Sequence, residues 1–317
     1  MTDVLDFLQY LADKPLALST VLGYLTAVSN RHVKLKVKGG VLTNLSQLST
    51  VQTWVRGLKL KMQTDRTVVP KWNLEIVLAA LKRPPYYPLN TATLKHLTQR
   101  TVFLVAITSA RRASEIHALR SDTLQFSSTS VTAHVDPSFL PKVASDWHCT
   151  QPLELPAMHE ETDVELRKLC VRATLNAYLN ATLAMRTSTD SKQLFLCYGS
   201  HKKGAPVSKR RISSWLKEVV RDAYKLSGLP PPQGVKGHQV RSQAASWAEA
   251  AGVDPQKICD AATWRTGNMF AKHYRLDLHH AGRSEFGRRV LALSASSTAA
   301  SSVRRNLKSV SLPPRRQ

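Results

Sequence analysis

The chain is poor in acidic residues and has no long apolar run. Its 317 residues include only 22 Asp and Glu against 45 Lys and Arg, which leaves a net charge of +23. No segment reaches the roughly 18 apolar residues that a membrane-spanning helix needs, and the N-terminus lacks the layout of a signal peptide. The positive excess is far above what solubility requires, so we expect a polyanionic partner and neither secretion nor membrane insertion.

Cysteine is also scarce. The chain has four cysteines and no C-x-x-C pair, which favours buried thiols in a reducing compartment over a disulfide or a zinc site. Three histidines, His273, His279 and His280, lie close together in sequence. They have no acids or cysteines at ligand spacing, so we interpret them as a surface cluster. We therefore expect no metal and no cofactor.

The chain is long enough for two domains, and the apolar spacing predicts a mainly α protein with a small antiparallel β-hairpin or meander. A polar stretch at residues 63–67, followed by Pro70, predicts a linker. We therefore predict a helical domain over residues 1–66, a larger domain over residues 67–295 and a flexible basic tail over residues 296–317.

The first predicted domain has three helices and a cationic exterior. Val4, Phe7, Leu8 and Leu11 share one face that should be buried, a second helix is predicted to start at Ser19, and the third bears an apolar stripe from Val51 to Met62. The basic residues 31–38 lie between the second and third helices. The cations that could follow a phosphate backbone, or form an ordinary solvated face, are Lys34, Lys36, Arg56, Lys59 and Lys61.

The second predicted domain alternates helices with short strands. Helices are expected after the caps Asn73, Ser208 and Asp254, near Asn90, over residues 163–186 and from Gln239 to a Gly252 cap. The helix that starts near Asn90 ends in the apolar run 102–107 and should be central and buried. Period-two alternation predicts strands around Val131 and Leu153, and residues 194–198 predict one more.

Three short patterns in this domain carry candidate chemistry. They are Arg112 with Glu115, His238 with Arg241, and Trp264 followed by Tyr274. A carboxylate three residues after an arginine can hold the guanidinium in one orientation, and a helix N-terminus near His238 suits a bound phosphate. Each pattern alone is more often an ordinary polar face of a helix.

In this order the three patterns fit phosphoryl transfer without a metal. Arginine forks bind non-bridging oxygens, and a tyrosine can attack phosphorus and remain joined to DNA. Lys142 lies in the turn of the predicted hairpin and is the candidate general acid for the leaving sugar oxygen. A basic segment, Lys209, Arg210 and Arg211, is expected to contact phosphates, with nuclear import or simple solubility as its alternatives.

The chain resembles the tyrosine recombinases, most closely those of DIRS-like and Ngaro-like retrotransposons. The stretches that carry the resemblance are residues 70–74 with Pro84-Pro85, then 101–119, 194–198, 238–252 and 262–277. The resemblance implies a helical core-binding domain and a catalytic domain that together clamp double-stranded DNA. It also implies a homo-oligomer, with a dimer on one site and a tetramer in synapsis, that acts on a mobile element in the nucleus.

The resemblance further implies the roles of individual residues. Tyr274 would bond to a 3′-phosphate and free a 5′-hydroxyl, in a pocket formed by Arg112, Lys142, His238, Arg241 and Trp264. Residues 283–293 are the candidate for a C-terminal helix that docks on a neighbouring protomer.

Three positions depart from the commonest family pattern. Two arginines are adjacent, and alignment on Ser114-Glu115 selects Arg112, with Arg111 as the alternative. Tryptophan occupies position 264, where many members have histidine. Tyr274 follows ten positions after Trp264, which is one more than usual. Two other functions stay open: a non-catalytic DNA-binding protein derived from such an enzyme, and an enzyme like the type IB topoisomerases.

We predict that affinity for DNA falls steeply with salt, because each phosphate neutralised by a lysine or arginine releases counterions. The logarithm of the association constant should fall linearly with the logarithm of salt concentration, with a slope of about −0.9 per neutralised phosphate. Fluorescence anisotropy of a labelled duplex across a salt series measures this slope. A flat response would contradict a charge-driven interaction with DNA.

Overall fold

The protein is described from a computed structural model. The structure describes residues 2–34, 44–62, 70–141, 151–158, 160–189, 191–264, 267, 270 and 274–276. The chain divides into two compact units, Met1–Thr67 and Val68–Gln317. The predicted linker at 63–67, the histidine cluster, the candidate C-terminal helix at 283–293 and the tail at 296–317 lie outside the described residues.

The first unit consists of three helices, α1 (Thr2–Ala12), α2 (Leu18–Lys34) and α3 (Ser49–Lys61), with a short 3-10 turn at Leu45–Gln47. They pack through two small apolar clusters. One cluster contains Leu8, Leu25 and Val51, and the other contains Leu11, Val21 and Leu58.

Two expectations for this unit were wrong. Phe7 is exposed rather than buried, and its ring meets the exposed ring of Tyr24 edge to face at 6.3 Å between centroids. Helices α2 and α3 do not cover the whole apolar stripe of α1 within this unit, so Phe7 stays at the surface. The basic stretch 31–38 was expected to connect two helices, but α2 continues through Lys34, so the first half of the stretch is helical.

The second unit begins with α4 (Leu74–Leu81), α5 (Leu94–Ser109) and α6 (Ala113–His117). The predicted cap at Asn73 is confirmed, because its side-chain oxygen accepts a hydrogen bond from the Glu75 amide at 2.7 Å. The central position of α5 is confirmed as well, since residues 102–106 are all buried. This helix starts later than expected, after the cap residue Thr93, because the amides of Thr91 and Ala92 still donate to the Pro88 carbonyl in a turn.

A three-stranded antiparallel sheet follows, with β1 (Gln125–Phe126), β2 (Ser130–Ala133) and β3 (Leu153–Pro156) in the order β1-β2-β3. Val131 pairs with Leu155 and Ala133 with Leu153, and all four side chains are buried. The period-two alternation therefore marked the buried face correctly, and the predicted class, mainly α with a small antiparallel sheet, is confirmed.

The remaining helices of the second unit are α7 (Val164–Arg167), α8 (Val171–Thr189), α9 (Lys209–Leu226), α10 (Gln239–Ala250) and α11 (Pro255–Ala261). The predicted caps Ser208 and Asp254 are confirmed by side-chain hydrogen bonds to Arg211 N and Gln256 N. Gly252 follows α10 with a φ of +82°, as its predicted role as a left-handed cap requires.

Two further expectations for this unit were wrong. The helix predicted over 163–186 is two helices, α7 and α8, with the buried Cys170 between them. Residues 194–198 form no strand: the Leu194 amide donates to the Leu119 carbonyl, and Leu196 makes only an isolated bridge to Pro206. Leu194, Phe195 and Leu196 are buried because they pass beside α8, where the Leu196 amide donates to the Tyr178 hydroxyl.

Helix α5 lies at the centre of this unit and packs against α8, α9 and α10. The amphipathic face of α9 covers it with a stripe of buried residues, Ile212, Trp215, Leu216, Val219, Val220 and Ala223. In the part of the chain that the structure describes, no helix has the length and apolar character that crossing a membrane requires.

Candidate active site

Arg112 and Glu115 are positioned by the turn between α5 and α6. Ala110 ends α5 in the left-handed region, with a φ of 50°, so the chain reverses and Arg112 becomes the residue that caps α6. Glu115 Oε2 accepts from the Arg112 backbone N–H at 2.8 Å, and its Oε1 accepts from Arg112 Nη1 at 3.1 Å. The predicted three-residue spacing therefore does orient this guanidinium.

Arg241 approaches the same carboxylate from the first turn of α10. Its side chain is only 3% exposed, its Nη1 lies 3.8 Å from Glu115 Oε2, and its Nη2 donates to the Ala262 carbonyl. The pKa of Arg241 is lowered to about 10, mainly by burial and also by the positive charge of Arg112, while the carboxylate of Glu115 opposes both effects. The group still carries its charge at neutral pH.

Trp264 and Tyr274 lie side by side next to Arg241. Thr263, with a φ of 51°, follows α11 in a turn in which the Trp264 amide donates to the Cys259 carbonyl at 2.8 Å. The two rings stack with centroids 4.6 Å apart. The carbon of the Arg241 guanidinium is 4.7 Å from the Trp264 centroid and 5.3 Å from that of Tyr274. The spacing of ten positions between Trp264 and Tyr274, one more than usual, therefore still places Tyr274 next to Arg241.

Several buried donors of this cluster point to a missing acceptor. Within the described residues, Arg241 Nε, Arg241 Nη1 and Trp264 Nε1 are buried and have no hydrogen-bond partner. An unpaired buried donor costs about 1 to 3 kcal/mol unless a ligand supplies the acceptor. Two guanidinium groups around one carboxylate also leave an excess of positive charge. The donor set therefore fits an anion with several oxygens, as a phosphodiester is.

Ser246 holds the Tyr274 segment on α10, and sequence reasoning missed it. Its hydroxyl accepts from the Leu276 amide at 2.8 Å and donates to the Tyr274 carbonyl at 3.4 Å. One turn further along α10, Glu249 pairs with Arg275 at 2.9 Å. In the sequence, the role of Ser246 and Glu249 could have been suspected only because both polar residues follow Arg241 on the same predicted helix.

His238 and Lys142 have a different standing from the residues of this cluster. His238 caps α10 one turn before Arg241, and a Cβ at the preceding Gly237 would lie 3.1 Å from the backbone of Ser213 on α9. The His238 side chain lies at the surface, yet partial desolvation lowers its pKa below 6.5, and the charge of Lys236 adds to this effect. Lys142 lies outside the described residues.

The structure distinguishes the two adjacent arginines. Arg111 reaches the chain just before β3, where its Nη2 donates to the Pro152 carbonyl at 2.8 Å. Arg112 is the one hydrogen-bonded to the carboxylate that also faces Arg241. The geometry therefore favours Arg112 as the member of the cluster.

A cationic surface lies on the same unit. Lys209, Arg210 and Arg211 are exposed in the first turn of α9, where the helix dipole disfavours positive charge. Arg211 also pairs with Glu218 at 3.2 Å. In the first unit Arg56, Lys59 and Lys61 are exposed on α3. The side chain of Lys34 and the whole of Lys36 are not among the parts that the structure describes.

No candidate metal centre is present among the described residues, where no three His, Cys, Asp or Glu side chains come together. The three cysteines in the described ranges, Cys170, Cys197 and Cys259, are free thiols.

The mostly helical architecture with a small three-stranded sheet is the tyrosine-recombinase fold of integrases. The chain is similar to the XerH site-specific recombinase bound to a palindromic difH substrate in a post-cleavage complex, with a TM-score of 0.56 and 13% identity over 89% of this chain and 67% of that one. It is also similar to the Tn1549 transposon integrase in complex with a circular intermediate DNA, with a TM-score of 0.55 and 13% identity over 90% of this chain and 84% of that one.

A second complex of the Tn1549 integrase, with transposon right end DNA, has a TM-score of 0.53 and 14% identity over 90% of this chain and 84% of that one. No protein-family model and no curated protein matches the sequence. At these identities the likeness shows the fold.

We predict that Glu115→Gln destabilises the protein by about 3 kcal/mol, because it leaves the buried charge of Arg241 without its counter-charge. Equilibrium unfolding in urea measures the loss. The matched control is Glu165→Gln, which removes an exposed carboxylate paired with Lys82 and Lys168 and should cost far less, because water screens an exposed ion pair. Equal losses for the two variants would contradict the proposed importance of the buried pair.

Proposed function

We propose that this protein is a site-specific DNA recombinase that breaks and rejoins strands through a covalent 3′-phosphotyrosine at Tyr274. The observation that carries the proposal is the stack of Tyr274 on Trp264 beside the buried guanidinium of Arg241. Arg241 and Trp264, the two residues next to the Tyr274 ring, carry buried N–H donors that have no hydrogen-bond partner among the described residues. A phosphate bound there would supply the missing acceptors and lie within reach of a nucleophile.

In this proposal each residue has one task. Arg112, Arg241 and Trp264 donate hydrogen bonds to the non-bridging oxygens, whose charge grows in the transition state. The Tyr274 hydroxyl attacks phosphorus and loses its proton to the neutral imidazole of His238. The bond between phosphorus and the 5′ oxygen breaks, and Lys142 protonates that oxygen. Glu115 does not touch the substrate but holds both guanidinium groups.

The covalent intermediate stores the energy of the phosphodiester. When a 5′-hydroxyl attacks the phosphotyrosine, the phosphorus–oxygen bond to Tyr274 breaks and the phenol recovers its proton. Rejoining therefore needs neither a nucleoside triphosphate nor water, and the chemistry requires no cofactor. If the cleaved strands of two duplexes are exchanged before they are rejoined, the two duplexes are recombined.

We extend the proposal to the biological setting. Double-stranded DNA is the partner, and the protein acts as a dimer on one site and as a tetramer in synapsis. Its task would be to integrate or circularise a mobile element of the DIRS-like or Ngaro-like kind in a nucleus. The net charge of +23 and the exposed cations at Lys209, Arg210 and Arg211 support a DNA partner.

We predict that a nicked suicide duplex traps a covalent adduct with the wild type and that Tyr274→Phe traps none. The nick releases a short 5′-hydroxyl strand after cleavage, so rejoining fails and the adduct accumulates. Denaturing gel electrophoresis followed by mass spectrometry of the linked peptide measures the adduct and its residue. Tyr198→Phe is the matched control, because this tyrosine stacks on Trp215 away from the cluster.

The outcomes separate the competing functions. Adduct formation by Tyr274→Phe at the wild-type level would contradict the assignment of the nucleophile. Salt-dependent DNA binding without an adduct on any duplex would indicate a non-catalytic DNA-binding protein. Relaxation of supercoiled DNA by a monomer would indicate an enzyme of the topoisomerase type.

We predict that adduct formation weakens as the pH falls through a midpoint below 6.5. The lowered pKa of His238 keeps its imidazole neutral at neutral pH, and only the neutral ring can accept the proton of Tyr274. Activity should therefore be full above this midpoint and lost below it. Single-turnover rates between roughly pH 5 and pH 8 test this. An unchanged acid limb in His238→Gln would assign the titration to another group.

A further inference from the structure

Ser246 is a buried serine of α10, only 2% exposed, whose hydroxyl bonds to a different segment of the chain. Its Oγ accepts from the Leu276 amide at 2.8 Å and donates to the Tyr274 carbonyl at 3.4 Å. A buried helical serine commonly bonds to the carbonyl four residues back in its own helix, as Ser109 does with Val105 at 2.6 Å. Among the described residues, the hydrogen bonds of the Ser246 hydroxyl all go to residues 274–276, the tyrosine segment.

The backbone of Tyr274 lies where a helical turn ends. Its amide and that of Arg275 both donate to the Phe270 carbonyl, at 2.9 and 3.0 Å. Beyond this turn the tyrosine segment belongs to no helix or strand. The Phe270 ring stacks on Trp264 with centroids 5.6 Å apart, which anchors the turn to the ring cluster. The Ser246 hydroxyl supplies a second anchor, on α10.

The part of α10 between Arg241 and Ser246 can serve as a fixed spacer. The two residues are five positions apart, and every residue from Val240 to Ser246 is buried. Side chains in a close-packed interior are held in place, so this stretch of helix moves as one body. The hydroxyl that holds the Tyr274 backbone and the guanidinium beside the Tyr274 ring therefore belong to the same rigid element.

A second contact between α10 and the tyrosine segment is an ion pair at the surface. Glu249 Oε2 lies 2.9 Å from Arg275 Nε, and the two side chains are 30% and 59% exposed. Water screens such a pair, and two long side chains can adjust to each other, so it constrains the backbone little. Ser246 bonds to the backbone itself from a buried position, so its loss would free the tyrosine segment directly.

We propose that Ser246 is a positioning residue, which fixes the backbone of Tyr274 relative to Arg241 so that the phenol meets the bound phosphate at reacting distance. Its hydroxyl touches neither the DNA nor the reacting atoms and acts only through the placement of the nucleophile. The inference rests on the proposed recombinase function, in which Tyr274 attacks phosphorus.

The two directions of the reaction give a readout that a general loss of structure would not reproduce. Cleavage requires the free phenol to be placed against phosphorus. In rejoining, the phenol is already bonded to phosphorus, and a 5′-hydroxyl attacks while the bond to the tyrosine oxygen breaks. A loosened tyrosine segment therefore slows cleavage and leaves rejoining nearly unchanged. Loss of a phosphate-binding group slows both directions, because both pass through the same transition state.

The experiment measures both rates for Ser246→Ala under single-turnover conditions. The nicked suicide duplex at saturating protein gives the cleavage rate, and addition of a 5′-hydroxyl strand to the accumulated adduct gives the rejoining rate. We expect cleavage to slow on the order of 10- to 100-fold, because a misplacement of about 1 Å can cost that much, and rejoining to change less than about threefold. Affinity for the duplex, measured by fluorescence anisotropy, should not change.

Thr101→Val is the matched structural control. Thr101 lies on α5 in the same unit, is fully buried and donates to the Leu97 carbonyl of its own helix. This variant removes a buried hydroxyl of the same kind and should leave both rates at the wild-type level. Arg112→Lys is the control for the phosphate pocket and should slow both directions to a similar extent. Glu249→Gln should stay near the wild type in both, since its ion pair is exposed.

Ser246→Cys is the second variant and gives the answer if Ser246→Ala does not fold. Its thiol occupies the place of the hydroxyl but is a weaker hydrogen-bond donor and acceptor, so it should slow cleavage alone. Slowed cleavage with nearly unchanged rejoining, in either variant, supports the inference.

The contrary outcomes are equally specific. Equal slowing of cleavage and rejoining, cleavage at the wild-type rate, or a loss of cleavage in Thr101→Val as large as in Ser246→Ala overturns the inference. Failure of both Ser246 variants to fold also overturns it, because the serine would then serve the stability of the core. Failure of the wild type to form an adduct would instead overturn the proposed function.

Discussion

The buried guanidinium of Arg241 is the constraint on which the rest of the site depends. It lies almost fully out of water, and the protein compensates its charge with Glu115 and with the carbonyl of Ala262. These contacts join the start of α10 to α6 and to the end of α11. Because a charge in this position is tolerated only with its partners in place, the three elements must come together for the unit to fold.

The site is formed at helix ends rather than within helices. Among the described residues, two that are not glycine have a positive φ: Ala110, which ends α5, and Thr263, which follows α11. Ala110 turns the chain two residues before Arg112, and Thr263 turns it directly before Trp264. Such conformations cost energy, and they persist where surrounding contacts enforce them, as they often do at functional sites.

Local patterns in the sequence predicted local structure well. The caps Asn73, Ser208 and Asp254 and the alternation in β2 and β3 involve residues a few positions apart, and all are found. Two of the failed predictions have a common cause. An apolar run such as 194–198 forms a strand only where another strand can pair with it, and an apolar helix residue such as Phe7 is buried only where a neighbouring element covers it. The spacing of apolar residues along the sequence reveals neither the strand partner nor the covering element.

The amino-acid sequence by itself determined the excess of positive charge, the mainly helical class and the placement of a carboxylate, Glu115, within about one helical turn of two adjacent arginines, because each depends on composition or on neighbours close in the chain. The tertiary structure alone decided that Tyr274 stacks on Trp264 beside Arg241, that Ser246 holds the tyrosine segment, and that Arg111 reaches the chain just before β3 while Arg112 faces Glu115. Those contacts join elements far apart in sequence. They form only when burial of the core around α5 brings the helix ends together, a constraint that acts on the whole chain and not on any short stretch of it.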